Sequence, residues 1–163
     1  MLRDRGVKFR LSCIGDGPIR VQAEALVGAK LMGDQVEFTG YVSEDEVFDK
    51  LLKGDILVFP TSHREGFPNI LFRAVALGMP IVTSRVRAGG EYLNGRENCL
   101  FCTPEPENIA DKIQTLIHDR GLRERMTAAN LAMGKLLTKE AIAAEFLAIY
   151  EKLVGPTKTP GKN

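Results

Sequence analysis

Short apolar runs alternating with amphipathic helical stretches predict an α/β domain built on a Rossmann-like parallel sheet with flanking helices. The run at 56–59 (ILVF) is apolar without alternation, as in a strand covered by helices on both faces. The stretch before it carries Val47, Phe48, Leu51 and Leu52 at helical spacing. The loops expected at the carboxyl ends of the strands are glycine-rich or polar, and that end of a parallel sheet is where ligands bind.

In order, residues 1–6 (MLRDRG) read as a last helical turn stopped by Gly6. Residues 7–14 read as a strand, with Val7, Phe9 and Leu11 alternating. Gly15-Asp16-Gly17-Pro18 then turns into a helix over 19–31, its glycines allowing a tight turn and close approach of a ligand. A second strand, 36–40 (VEFTG), leads through Tyr41-Val42 to Ser43 and Glu46, which have capping-box spacing. The third strand, 56–60, opens into 61–73 (TSHREGFPNILFR). There a helix is expected to start at Phe67 or Pro68, with proline in its first turn, and to end at Gly78. Strands follow at 81–84 and 100–103. Beyond Pro104 the chain reads as three helices: one with Ile109, Ile113, Leu116 and Ile117 on one face, then 122–137 and 140–153. The domain is expected to span 1–154, and 155–163 (GPTKTPGKN), with no apolar content, to be a disordered tail.

The chain has 163 residues, the length of one domain, and a net charge of +1, which offers no basic field for nucleic acid. No apolar run reaches the roughly 18–20 residues of a membrane span, and the first residues lack the apolar core expected of a signal peptide. Three cysteines suit a reducing, cytoplasmic setting. Cys99 and Cys102 form a C-x-x-C pair without the further ligands that a structural zinc needs, and on a strand they would face opposite ways. No metal site is expected.

The candidate site centres on the loop at 61–68. Free N–H groups and the positive end of a helix dipole favour an anionic group such as phosphate there. Glu65 sits where such dipoles favour a carboxylate, and this fits either helix-start chemistry or a role toward a ligand. Loops at Gly15–Pro18, 41–42 and 85–91 fall at the same end of the sheet.

Glu65-Gly66-Phe67-Pro68-Asn69, followed by AVALGMPIV at 74–82, resembles the donor-sugar segment of retaining, nucleotide-sugar-dependent glycosyltransferases of family four, with the two-domain GT-B fold. IGDGP, VEFTGYVS and GGEYLNGRENCLF follow the same family's order along nearly the whole chain. The resemblance implies the C-terminal, donor-binding half of that fold, using a UDP- or GDP-type sugar as substrate and no cofactor. It implies that Glu65 contacts the transferred sugar and faces its developing positive charge. By the same resemblance, Gly66, Phe67, Pro68, Asn69 and Ile70 present backbone to the diphosphate and sugar, the Gly15 and Gly17 loop approaches the ligand, and Tyr41 and Val42 read the base.

The family's second glutamate, which binds the ribose hydroxyls, falls at Arg73 here. Arg73 could donate to the ribose, pair with a phosphate, or be a solvated charge. The family's domain begins one strand and one helix earlier, with an Arg and a Lys that hold the diphosphate. Without that central strand, the strands at 7–14 and 56–60 each lose a neighbour. They are then expected to pair directly, to be bridged by another segment, or to leave a defect. An N-terminal acceptor-binding domain or subunit is implied as partner, with any peripheral membrane association arising through it, and the chain alone is expected to be inactive. The alternative is a non-catalytic remnant or partner-binding module that keeps the fold without binding nucleotide; a sugar-nucleotide epimerase is a third option that no wording here favours.

Overall fold

The computed structural model describes residues 1–62, 66–86 and 88–155. The expected tail lies, apart from Gly155, outside them. Five strands, β1 (Leu11–Ile14), β2 (Val36–Gly40), β3 (Leu57–Phe59), β4 (Ile81–Ser84) and β5 (Cys99–Cys102), alternate with helices α1 (Arg20–Ala29), α2 (Glu44–Lys53), α3 (Asn69–Ala76) and α4 (Ala88–Tyr92). Three longer helices close the chain: α5 (Pro106–His118), α6 (Arg120–Leu136) and α7 (Lys139–Val154).

All pairings are parallel, but they form two sheets, β1–β2 and β3–β4–β5. Among the described residues no strand pairing joins β1 to β3, so the two strands expected to lose a neighbour do not pair directly. This also explains a correction. The first strand covers only Leu11–Ile14 because its one partner pairs from Val36, opposite Leu11, and residues 7–10 find no ladder. Val7 is buried without being in a strand.

The three-stranded sheet has a core on each face. Ile81 and Cys99 point into one with Leu51, Leu71, Ala74, Val75 and Met79. Val82, Leu100 and Cys102 point into the other with Leu116, Leu122 and Met126. The period of two thus sends the C-x-x-C sulfurs to opposite sides of the sheet, as expected.

Helix α2 starts on the expected capping box: the Ser43 hydroxyl accepts from the Glu46 amide at 3.3 Å, and the Ser43 amide donates to the Glu46 carboxylate at 2.8 Å. The Ser43 hydroxyl also donates to that carboxylate at 2.8 Å, and the bonds from the Ser43 amide and hydroxyl hold the Glu46 carboxyl below its usual range. Ser43→Ala should cost about 1 kcal/mol in urea unfolding, the usual loss of an N-cap. Val47 and Leu51 face the core, whereas Phe48 and Leu52, expected beside them, stay exposed. In the first turn of α3 the expectation also shifts. Pro68 has extended backbone and is the N-cap, so the helix begins at Asn69.

Helix α3 stops at Gly78, whose φ of 69° suits glycine and where a Cβ would lie 2.7 Å from Leu131 of α6. Further along α6, Gly134 lets the two helices meet, since a Cβ there would lie 3.0 Å from the Ala76 Cα. The buried positions of α6 are Leu122, Met126 and Asn130, four residues apart. Helix α7 buries no residue.

Candidate functional site

The loops singled out from the sequence lie at the carboxyl ends of the strands, and specific contacts tie some of them in pairs. Gly15 adopts φ 113°, a conformation closed to most side chains, and its amide donates to the Gly40 carbonyl at 3.1 Å. This joins the end of β1 to the end of β2. Gly17 accepts no such constraint; its amide donates to the Asp16 side chain at 2.7 Å. A Cβ at either glycine would meet nothing within 4 Å, so backbone stands open to solvent there. Immediately beyond Gly40, Tyr41 is 89% exposed and Val42 half-buried.

Helix α3 carries the other half of the site. Gly66 and Asn69 are exposed, while Phe67, Pro68 and Ile70 are half-buried. Phe67 and Ile70 pack against the core below α3. Those side chains are thus anchored, and among the described residues no side chain caps the helix. Glu65, expected to contact the sugar, lies outside the described residues, as do His63, Arg64 and Arg87.

Arg73 is not a solvated charge. Its guanidinium pairs with the Glu44 carboxylate and donates to the Glu44 carbonyl at 3.4 Å. This contact ties α3, on the three-stranded sheet, to the start of α2, which follows the other sheet. Sequence reading did not find it, because the partners lie 29 residues apart.

Two further contacts were not legible. Tyr92 of α4 stands edge-on to Phe67, ring centroids 5.6 Å apart, and remains 56% exposed. The residues read as a loop at 85–91 are partly this short helix α4, entered where β4 ends. Arg85 lies over the Phe101 ring, 4.5 Å from its centroid. Among the described residues no three His, Cys, Asp or Glu side chains gather in a way that could hold a metal ion. None of the helices described is long and apolar enough to cross a membrane.

A chain with these two parallel sheets and glycine-rich strand ends is similar to known proteins. The family model of the glycosyl transferases group 1 matches residues 1–119. The chain belongs to that family. Among its relatives, the sulfoquinovosyl transferase SQD2 of Arabidopsis thaliana is 33% identical over 127 residues, covering 74% of this chain and 24% of that protein. A GDP-mannose-dependent alpha-(1-6)-phosphatidylinositol dimannoside mannosyltransferase of Mycobacterium tuberculosis is 30% identical over 158 residues, 96% of this chain and 39% of that one. The crystal structure of Anabaena Alr3699/HepE in complex with UDP matches with a TM-score of 0.75 at 16% identity, over 90% of this chain and 41% of that chain.

The last match identifies the architecture: parallel sheets flanked by helices, of the GT-B type. This glycosyl transferase group 1 chain therefore spans well under half the length of the relatives it matches.

Proposed function

We propose that the chain is the donor-binding half of a retaining glycosyltransferase, with residues 1–154 forming the sugar-nucleotide domain, acting in the cytoplasm on a glycan or glycolipid acceptor. The donor is a UDP- or GDP-sugar, in line with the GDP-mannose and UDP named for the relatives above. No cofactor takes part. The acceptor is held by a second domain or subunit across the cleft, without which this chain does not turn over.

The observation that carries this reading is the family match over residues 1–119, supported by the Gly15 turn bonded to Gly40 and by Arg73 of α3 held to Glu44 at the start of α2. In this reading, the open backbone at Gly15 and Gly17, with Gly66, Pro68, Asn69 and Ile70, lies along the diphosphate and sugar. N–H groups at the start of α3 offset the charge of the diphosphate. Tyr41 and Val42 meet the base. Glu65 accepts a hydrogen bond from a sugar hydroxyl and opposes the positive charge that builds on the anomeric carbon as its bond to the diphosphate oxygen breaks.

Calorimetric titration with UDP, GDP, UDP-glucose and GDP-mannose tests it. One nucleotide class should bind the folded chain, and Glu65→Ala should weaken the matching sugar nucleotide about tenfold, the worth of one hydrogen bond to a charged group, with little effect on the bare diphosphate. A folded wild type that binds none of the four would overturn the reading and leave a partner-binding module.

A further inference from the structure

We infer that Glu44, oriented by Arg73, is a specificity-determining residue that accepts hydrogen bonds from the ribose diol of the nucleotide. The inference rests on the donor-site reading above.

The argument starts from where Glu44 stands. It is the first residue of α2, just past the carboxyl end of β2, in a unit where parallel β1 and β2 are joined across α1 and β1 ends in an open glycine loop. In nucleotide-binding units of this construction, an acidic side chain beyond the second strand accepts the ribose hydroxyls. Tyr41 and Val42, three and two residues earlier, are the base-side candidates, so the sugar of a nucleoside seated there falls near Glu44.

Glu44 has no other evident task. The capping of α2 is complete without it, since Ser43 and Glu46 satisfy each other. Its side chain is 81% exposed, where an ordinary ion pair contributes little. Yet Arg73, only 26% exposed, reaches across from α3 to hold it. Among the described residues, the side-chain contacts of Glu44 engage one carboxylate oxygen, Oε2. An ionised carboxylate offers about four lone-pair sites, so the second oxygen remains available as an acceptor.

Chemistry then selects the ligand. Two adjacent hydroxyls need acceptors for their protons and can accept from N–H groups in return. A carboxylate beside a guanidinium supplies both. A phosphate does not fit as well, because Glu44 would repel it while Arg73 is already engaged. Arg73 thereby acts as a positioning residue: it fixes the rotamer of an otherwise free glutamate and tethers α2 to α3.

The test changes ligand and residue together, using UDP or GDP, whichever the full chain binds, and its 2′,3′-dideoxy form. Wild type should bind the ribonucleotide about tenfold or more tightly than the dideoxy form, the discrimination that paired polar groups give. Glu44→Gln should reduce ribonucleotide affinity about tenfold and leave the dideoxy form within about twofold. Arg73→Gln should show the same selective loss, smaller in size, while melting temperature changes little. Equal losses for both ligands, or a wild type that does not discriminate between them, would overturn the role of Glu44 and leave the donor site standing. A folded wild type that binds neither UDP nor GDP would remove the donor site and this assignment together. The wild-type comparison needs no mutant and so remains decisive if a variant fails to fold.

Discussion

Asn130→Ala is expected to lower the stability of the chain by about 3–5 kcal/mol, one of the largest effects any single substitution should have on it. The side chain is fully buried on α6. Its amide nitrogen donates to the Met79 carbonyl at 2.7 Å and to the Asn98 carbonyl at 2.9 Å. Its oxygen accepts from the Asn98 amide nitrogen at 3.0 Å. Asn98, itself 5% exposed, accepts from the Asn94 backbone at 3.1 Å. One side chain thus satisfies groups just before β4 and just before β5, where the backbone has no ladder partner.

Alanine would strand two carbonyls and an amide in the core, each at about 1–3 kcal/mol, with some relief from water entering the cavity. Asn130→Asp separates the polar effect from the volume effect. Its carboxylate would face two carbonyl oxygens, so its folded pKa must rise above the ordinary carboxylate value. Such a group stabilises below its unfolded pKa, about 4, and that contribution disappears as pH rises through the folded value. In urea unfolding, Asn130→Asp should therefore approach or exceed Asn130→Ala at pH 4 and fall well below it at pH 7. Equal stability of the two variants at pH 7 would show that the network contributes no more than packing.

Little in the sequence pointed to that network, and the reason is physical. Strands and helices announce themselves through local periodicity, so the apolar run at β3, the capping box of α2 and the helices after Pro104 were all legible. A buried asparagine looks like any other polar residue on a helix until its partners, 32 and 51 positions away, are brought to it by the fold. The same holds for the Arg73–Glu44 pair. Position 73 stood out because it departs from a family pattern, but the carboxylate that meets it belongs to another helix. The shortened β1 and the exposed Phe48 and Leu52 have a related cause. Their apolar pattern is real, but among the described residues, positions 7–10 find no ladder and Phe48 and Leu52 remain exposed. Exposed apolar residues on α1 and α7 have the same character: Ile19, Val21 and Leu26 near or on the first helix, and Phe146, Leu147, Tyr150 and Leu153 on the last.

Cys99 carries the second large effect, and it concerns pH. Its thiol is fully buried in the core beneath α3, and burial pushes its pKa up from 9.0 to about 12, with the positive charge of Arg85 offsetting a small part. Burial also raises Cys13 and Cys102. For Cys99 the folded value lies above the unfolded one, so the protonated thiol's contribution is complete below about pH 9 and declines as pH rises toward 12. Across that window the loss reaches about 4 kcal/mol, from about 1.4 kcal/mol per unit. Urea unfolding of wild type should weaken steeply above pH 9, and Cys99→Ala, less stable at pH 7, should show a flatter profile. Native Cys99 should also resist iodoacetamide at pH 8 until denaturant exposes it, since the thiolate is the reacting form. Alkylation of Cys99 itself in the native chain, located by peptide mapping, at the rate of a free thiol would show that the core opens readily on the α3 face. That outcome would also bear on the donor site, because the same core cluster anchors Phe67 and Ile70 beneath the loop that faces the ligand.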